Sequence, residues 1–292
     1  MGRRPRLRGG ALGLTGLRVL AALVALGSLL PSATAAAFDA SSADSQHMAS
    51  QLAAADAAVR AASTQVDRLR AVPANAIAID QLRADLTLEQ AQFTLRDAIR
   101  QQQELVYSLA SQPDLESATL PLVGPQAAGL RQADQGLRAI WRLVGLDPGT
   151  TVHPRYNKVF AASEPPATLV AYYQAAAART GIDWTYLAAI NYIESDFGRN
   201  LGPSSAGALG PMQFLPETFR EYGGGGDIMS AHDSIQAAAL LLSRNGAPAD
   251  YDRAILRYNH SEDYVAAVKA YAAAIRGDVL WLTRFYYWST YG

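Results

Sequence analysis

The chain has no cysteine, so it can have neither a disulfide framework nor a lipid-acceptor thiol, and its stability must come from packing. Histidine is scarce. The four that occur, His47, His153, His232 and His260, are scattered without metal-ligand spacing, and no metal or cofactor is called for. There is no basic excess either, with 25 Lys and Arg against 26 Asp and Glu. Five of those arginines (3, 4, 6, 8 and 18) fall in the first 37 residues, which hold no acid, so the remainder carries 20 bases against 26 acids. A balance near −6 excludes nucleic acid as a partner and argues against simple capture by an anionic polymer. Alternation with period two is missing over any strand length, and no repeat of 20 to 50 residues is visible, so the chain reads as all-α.

What is present begins with Arg3, Arg4, Arg6 and Arg8 ahead of an apolar run, cleanest from Val19 to Leu30, and then small residues around Ala35 to Ala37. That order reads as a secretory signal over 1–37, making the protein secreted, extracellular or held in the cell envelope. An uncleaved run would instead anchor it in a membrane. Next, Met48, Leu52, Ala55, Val59, Ala62, Val66 and Leu69 recur in steps of four and three, a coiled-coil seam. After a break at Val72-Pro73-Ala74 the pattern returns with Leu88, Leu95, Ile99, Gln102, Val106 and Leu109. Residues 38–112 therefore read as a helical hairpin, seamed over 40–112, that either offers an arm to a protein partner or packs on the rest of the chain. Pro113, Pro121 and Pro125 suggest a loop, followed by a helix over 128–146 and a linker at DPGTTVHP, 147–154, so 113–154 reads as helix and linker. Residues 155–292 are then one helical domain, and the aromatic tail Trp281–Gly292 is expected to close over its core.

Within that domain the stretch NYIESDFG contains an acid among greasy neighbours. Asp183 can cap the start of the helix that runs into this stretch. From there Leu187, Ile190 and Glu194 fall on one face, so the Glu194 carboxyl points inward, whereas Asp196 is about 200° round the helix and should be wet. Gly198 offers an exit from the helix. A carboxyl group in an apolar pocket holds its proton toward neutral pH, which suits donation to a glycosidic oxygen. The usual second carboxylate has no clean candidate: Glu217, Glu221, Asp227 and Asp233 all have caps or loops as ordinary uses. Its absence is tolerable where a substrate acetamido group supplies the nucleophile.

Three segments in order, ESDFG at 194–198, SAGALGPMQFLPETF at 205–219 and AILRYNHSEDYV at 254–265, resemble the signature segments of the soluble-type (SLT) lytic transglycosylases. The likeness spans about 165–275. It implies a goose-type-lysozyme-like helical fold of glycoside hydrolase family 23 and cleavage of the β-1,4 bond between N-acetylmuramic acid and N-acetylglucosamine in peptidoglycan glycan strands, leaving 1,6-anhydro ends. By that resemblance Glu194 is the general acid and then base, Ser195 completes the family's Glu-Ser pair, and Gly207, Gly210, Met212 and Gln213 line the sugar groove. Tyr258 and Asn259 match the Tyr-Asn pair, with the tyrosine hydroxyl near the acid. Pro211 stands in place of the usual aliphatic residue, and His260-Ser261 in place of Ala-Gly. A hydrolytic muramidase on the same fold, or a non-catalytic wall-binding scaffold, would carry the same architecture.

Overall fold

The computed structural model describes residues 42–71, 78–146 and 162–288. The secretory segment expected over 1–37 and the linker expected at 147–154 lie outside these residues. Among the described residues every regular element is a helix, with one isolated bridge between Leu209 and Phe214, so the fold is all-α. No helix among them is long and apolar enough to cross a membrane.

Helices α1 (Ser42–Arg70) and α2 (Ala78–Ala110) pack on each other through the seam residues Leu52, Val59 and Val66 of one and Leu95, Ile99, Gln102, Val106 and Leu109 of the other, all buried. Four expected seam positions, Met48, Ala55, Leu69 and Leu88, are only half-buried; at Ala55 the neighbouring Asp56 takes the inward place because it has a buried cation to meet.

The proline-rich stretch expected to be a loop is instead a helix, α3 (Pro113–Val123), followed by a 3-10 turn over 124–126. Pro113 sits in the first turn, where a missing N–H costs nothing. Pro121 lies inside, yet Leu115, Thr119, Leu120 and Val123 share a buried face, and that packing outweighs the lost hydrogen bond.

Helix α4 (Ala127–Leu143) makes the most extensive contact in the molecule, with α10 (Glu262–Gly277). One glycine lets them close up: a side chain at Gly136 would run into the Tyr271 ring of α10. Gly129 is a second notch on α4, where a side chain would run into Trp281, which lies beyond α10. The other helices are α5 (Pro166–Thr180), α6 (Trp184–Ser195), α7 (Pro216–Tyr222), α8 (Ala231–Arg244), α9 (Tyr251–Tyr258) and α11 (Leu280–Tyr287). The aromatic tail does close the core: Trp281, Phe285 and Trp288 are buried.

One hydrophobic cluster runs from Leu52 on α1 to Trp288 beyond α11, so the N-terminal helices pack on the rest of the chain. A buried polar knot sits in the same junction. Arg284 of α11 is 0% exposed; it donates to Asp56 Oδ1 at 2.5 Å and to Gln102 Oε1 at 2.8 Å, while Arg60 bridges Asp56 and Asp278 at 2.7 Å each. On the outer side of α2, Leu86 and Phe93 remain 58% and 65% exposed.

Candidate active site

Helix α6 starts where the sequence places it, with Asp183 Oδ1 accepting from the Thr185 amide at 2.9 Å and Arg276 bracing the same carboxylate at 2.6 Å. Leu187 and Ile190 are fully buried, and Glu194 on the same face is 5% exposed. The helix ends one residue beyond it. Asp196, Phe197 and Gly198 follow at φ 53°, 57° and 84°, so the chain turns out of the helix before reaching the glycine expected to release it.

Among the described residues the Glu194 carboxyl has one hydrogen-bond partner, the Tyr264 hydroxyl, which donates to Oε1 at 2.5 Å across 70 residues of sequence. Burial pushes this carboxyl up to about 8, and the phenol, which favours the ionised form, only partly offsets it. Burial also holds the Tyr264 and Tyr258 hydroxyls well above the ordinary phenol range, with the nearby Glu194 charge adding to it, so both remain donors at neutral pH.

Asp196, expected to be wet, is 8% exposed. Past the helix end the helical angle no longer governs its direction, and it pairs with Arg199 at 3.1 Å while that guanidinium lies 4.2 Å from the Tyr286 ring centre. Arg199 is thus engaged by Asp196, not by Glu194.

Ser195 faces the protein interior. Its Oγ accepts from the Gly198 amide at 2.8 Å and donates to the Pro211 carbonyl at 2.5 Å. Gly210 has φ 75°, and a Cβ there would collide with the Ile228 carbonyl, so glycine is required twice over. Gly207 has φ 82° in open space. Met212 is fully buried; its carbonyl accepts from the Tyr258 hydroxyl at 2.6 Å. Gln213, itself at φ 46°, turns its amide back to the Gly210 carbonyl at 3.0 Å. Asn259 is the buried residue at the C-terminal end of α9, its amide bound to Ile255 O at 2.9 Å.

The hydroxyl in contact with the acid therefore belongs to Tyr264, and Tyr258 stands one ring behind it, stacked at 6.4 Å with planes 6° apart. Sequence reasoning missed Tyr264 although it lies in the third segment; the usable signal was a polar-tipped aromatic on the apolar face that Val268 and Tyr271 continue. The spare carboxylates are occupied elsewhere: Asp233 Oδ2 accepts from the Asp227 amide at 2.9 Å and Asp227 Oδ1 from the Met229 amide at 2.8 Å, while Glu217 and Glu221 are exposed on α7.

The family model "Transglycosylase SLT domain" matches residues 171–279. The membrane-bound lytic murein transglycosylase F of Thiobacillus denitrificans is 35% identical over 115 residues, which is 37% of this chain and 24% of that protein. The chain thus spans about a quarter of the length of this curated relative. No solved structure matches at a significant level. The stretch that matches this family model runs from within α5 to just beyond α10 and includes both Glu194 and Tyr264.

Proposed function

We propose that the chain is a peptidoglycan lytic transglycosylase that cuts the β-1,4 bond after N-acetylmuramic acid with Glu194 as its acid and base. The observation that carries this reading is the Glu194 carboxyl itself: dry and held by the Tyr264 phenol, with burial pushing its pKa up to about 8. Burial raises its pKa and the Tyr264 phenol partly opposes the rise, and no second carboxylate among the described residues contributes. One acid must then serve both halves of the reaction.

In the first half, the Glu194 proton passes to the glycosidic oxygen as the bond to muramic C1 breaks, and the sugar's own acetamido oxygen bonds to C1. The Tyr264 hydroxyl stabilises the carboxylate left behind. In the second half that carboxylate takes the proton of the C6 hydroxyl, O6 bonds to C1, and the acetamido oxygen leaves. The ring closes as a 1,6-anhydro sugar and no water is consumed. Ser195, Gly207, Gly210, Met212, Gln213, Tyr258 and Asn259 form the surroundings proposed to receive the sugar. The same reading puts the chain in the cell envelope, where its substrate is and where the name of its membrane-bound relative points.

The test is incubation of the purified chain and its Glu194→Gln variant with bacterial sacculi, followed by mass spectrometry of the released fragments. Cleavage is expected to fall by roughly 10²–10⁴ in the variant, the usual contribution of a general acid and base. Products are expected to lack one water relative to hydrolysed fragments. Reducing muramic ends would mean a hydrolytic muramidase, and wild-type protein that binds sacculi without cutting them would mean a scaffold.

A further inference from the structure

Three residues upstream of Glu194, the amide of Asn191 is fully buried inside an apolar helix. It is not idle. Its Nδ2 donates to the Pro211 carbonyl at 2.7 Å and to Ser195 Oγ at 3.2 Å, and its Oδ1 accepts from the Tyr173 hydroxyl of α5 at 2.6 Å. Burial keeps that hydroxyl protonated, so it remains a donor. The Pro211 carbonyl, which also accepts from Ser195, thereby has both lone pairs filled from α6.

Pro211 is joined by one peptide bond to Met212, whose carbonyl holds the Tyr258 hydroxyl at 2.6 Å. Tyr258 stacks on Tyr264, and Tyr264 holds Glu194. The contacts close a ring: Glu194, Tyr264, Tyr258, Met212, Pro211, Asn191, and back along one turn of α6 to Glu194. Three of its links are hydrogen bonds, Tyr264 to Glu194, Tyr258 to Met212 and Asn191 to Pro211, none of which can shift without leaving a polar atom unpaired, and one peptide bond and one ring stack join them.

We propose that Asn191 is a positioning residue for the reaction: by tying α6 to the Pro211 carbonyl it sets the Tyr258 and Tyr264 rings, and through them the direction of the Glu194 carboxyl. This rests on the reading of Glu194 as the acid. Asn191 does not touch the reacting atoms, so its loss acts on the rate of the step and leaves binding of the glycan largely intact.

The experiment measures kcat and KM on solubilised, uncrosslinked peptidoglycan strands, with a thermal melt of every variant. Asn191→Leu keeps the branched outline at a larger volume and removes all three side-chain hydrogen bonds; kcat is expected to fall about 10-fold or more with KM within about twofold. Asn191→Asp retains the acceptor for Tyr173 and can donate to Pro211 only while its carboxyl is protonated. Its kcat relative to wild type is expected to rise as pH falls, a recovery that Asn191→Leu does not show. Tyr173→Phe leaves Oδ1 without its donor and is expected to lower kcat severalfold; it decides the matter if Asn191→Leu does not fold. Folded Asn191 and Tyr173 variants with wild-type kcat overturn the proposal, as does a loss of rate that only follows the unfolded fraction. An active Glu194→Gln variant would overturn the underlying reading instead.

Discussion

At the scale of the residue, the inward aim of Glu194 was legible because Leu187 and Ile190 mark the buried face a turn or more before it. Its partner was not. Which phenol reaches the carboxyl depends on how α10 lies on α6, with Tyr264 meeting Glu194 at one end and Arg276 meeting Asp183 at the other. Asp196 misled for a related reason: it follows the last helical residue, and its pairing with Arg199 sets its direction. Glu194 also bears on stability. Its carboxyl moves from 4.5 unfolded to about 8 folded, so between those values the folded chain holds a proton that the unfolded chain releases. Stability contributed by this group is full below pH 4.5 and is lost as pH rises toward 8, by no more than about 5 kcal/mol. Chemical denaturation from pH 5 to 9 should therefore show Glu194→Gln with a flatter pH dependence and a higher stability at pH 8–9 than wild type. Activity of the wild type should decline as pH passes about 8, where the acid is spent before it can act.

At the scale of the element, periodicity and caps located most helices because each signal is local. Asp183 before α6 and the apolar steps of α9 and α10 needed nothing from the rest of the chain. Helix α3 failed that test: its prolines speak against a helix, and only the buried face of Leu115, Leu120 and Val123 speaks for it. The glycine notches of α4 were equally silent, since a glycine's need for space is set by what lies opposite. Gly136→Ala measures that need. Alanine gains about 1 kcal/mol of helix propensity, but its methyl group would lie 2.5 Å from a Tyr271 ring that Tyr192 and Phe285 hold on either side. Overpacking of this kind costs about 1–3 kcal/mol, so the variant should melt a few degrees lower. Gly277→Ala on α10, with open space around it, should melt no lower than wild type.

At the scale of the whole molecule, the heptad pattern of α1 and α2 reported an apolar seam without saying what it packs against. The answer lies at the other end of the chain, in the buried Arg284 that meets Asp56 and Gln102. Removing one member of such a pair strands a charge in a dry site, whereas replacing both with apolar groups does not. Asp56→Ala should therefore cost about 3–5 kcal/mol in denaturant unfolding, and Asp56→Leu combined with Arg284→Met should recover most of that loss. Burial already pulls the Arg284 guanidinium below its usual range, which shows how much the site depends on its acid.

That ion pair also sets an order of events. Its members stand 228 positions apart, so the contact cannot form until nearly all of the described chain has emerged from the ribosome. Until then α6 lacks the helix whose Phe285 and Tyr286 rings pack on Tyr192 and Phe197 around the turn after Glu194. A half-delivered chain would carry that acid without the wall that shapes it, so the activity proposed above would begin only once α11 has packed.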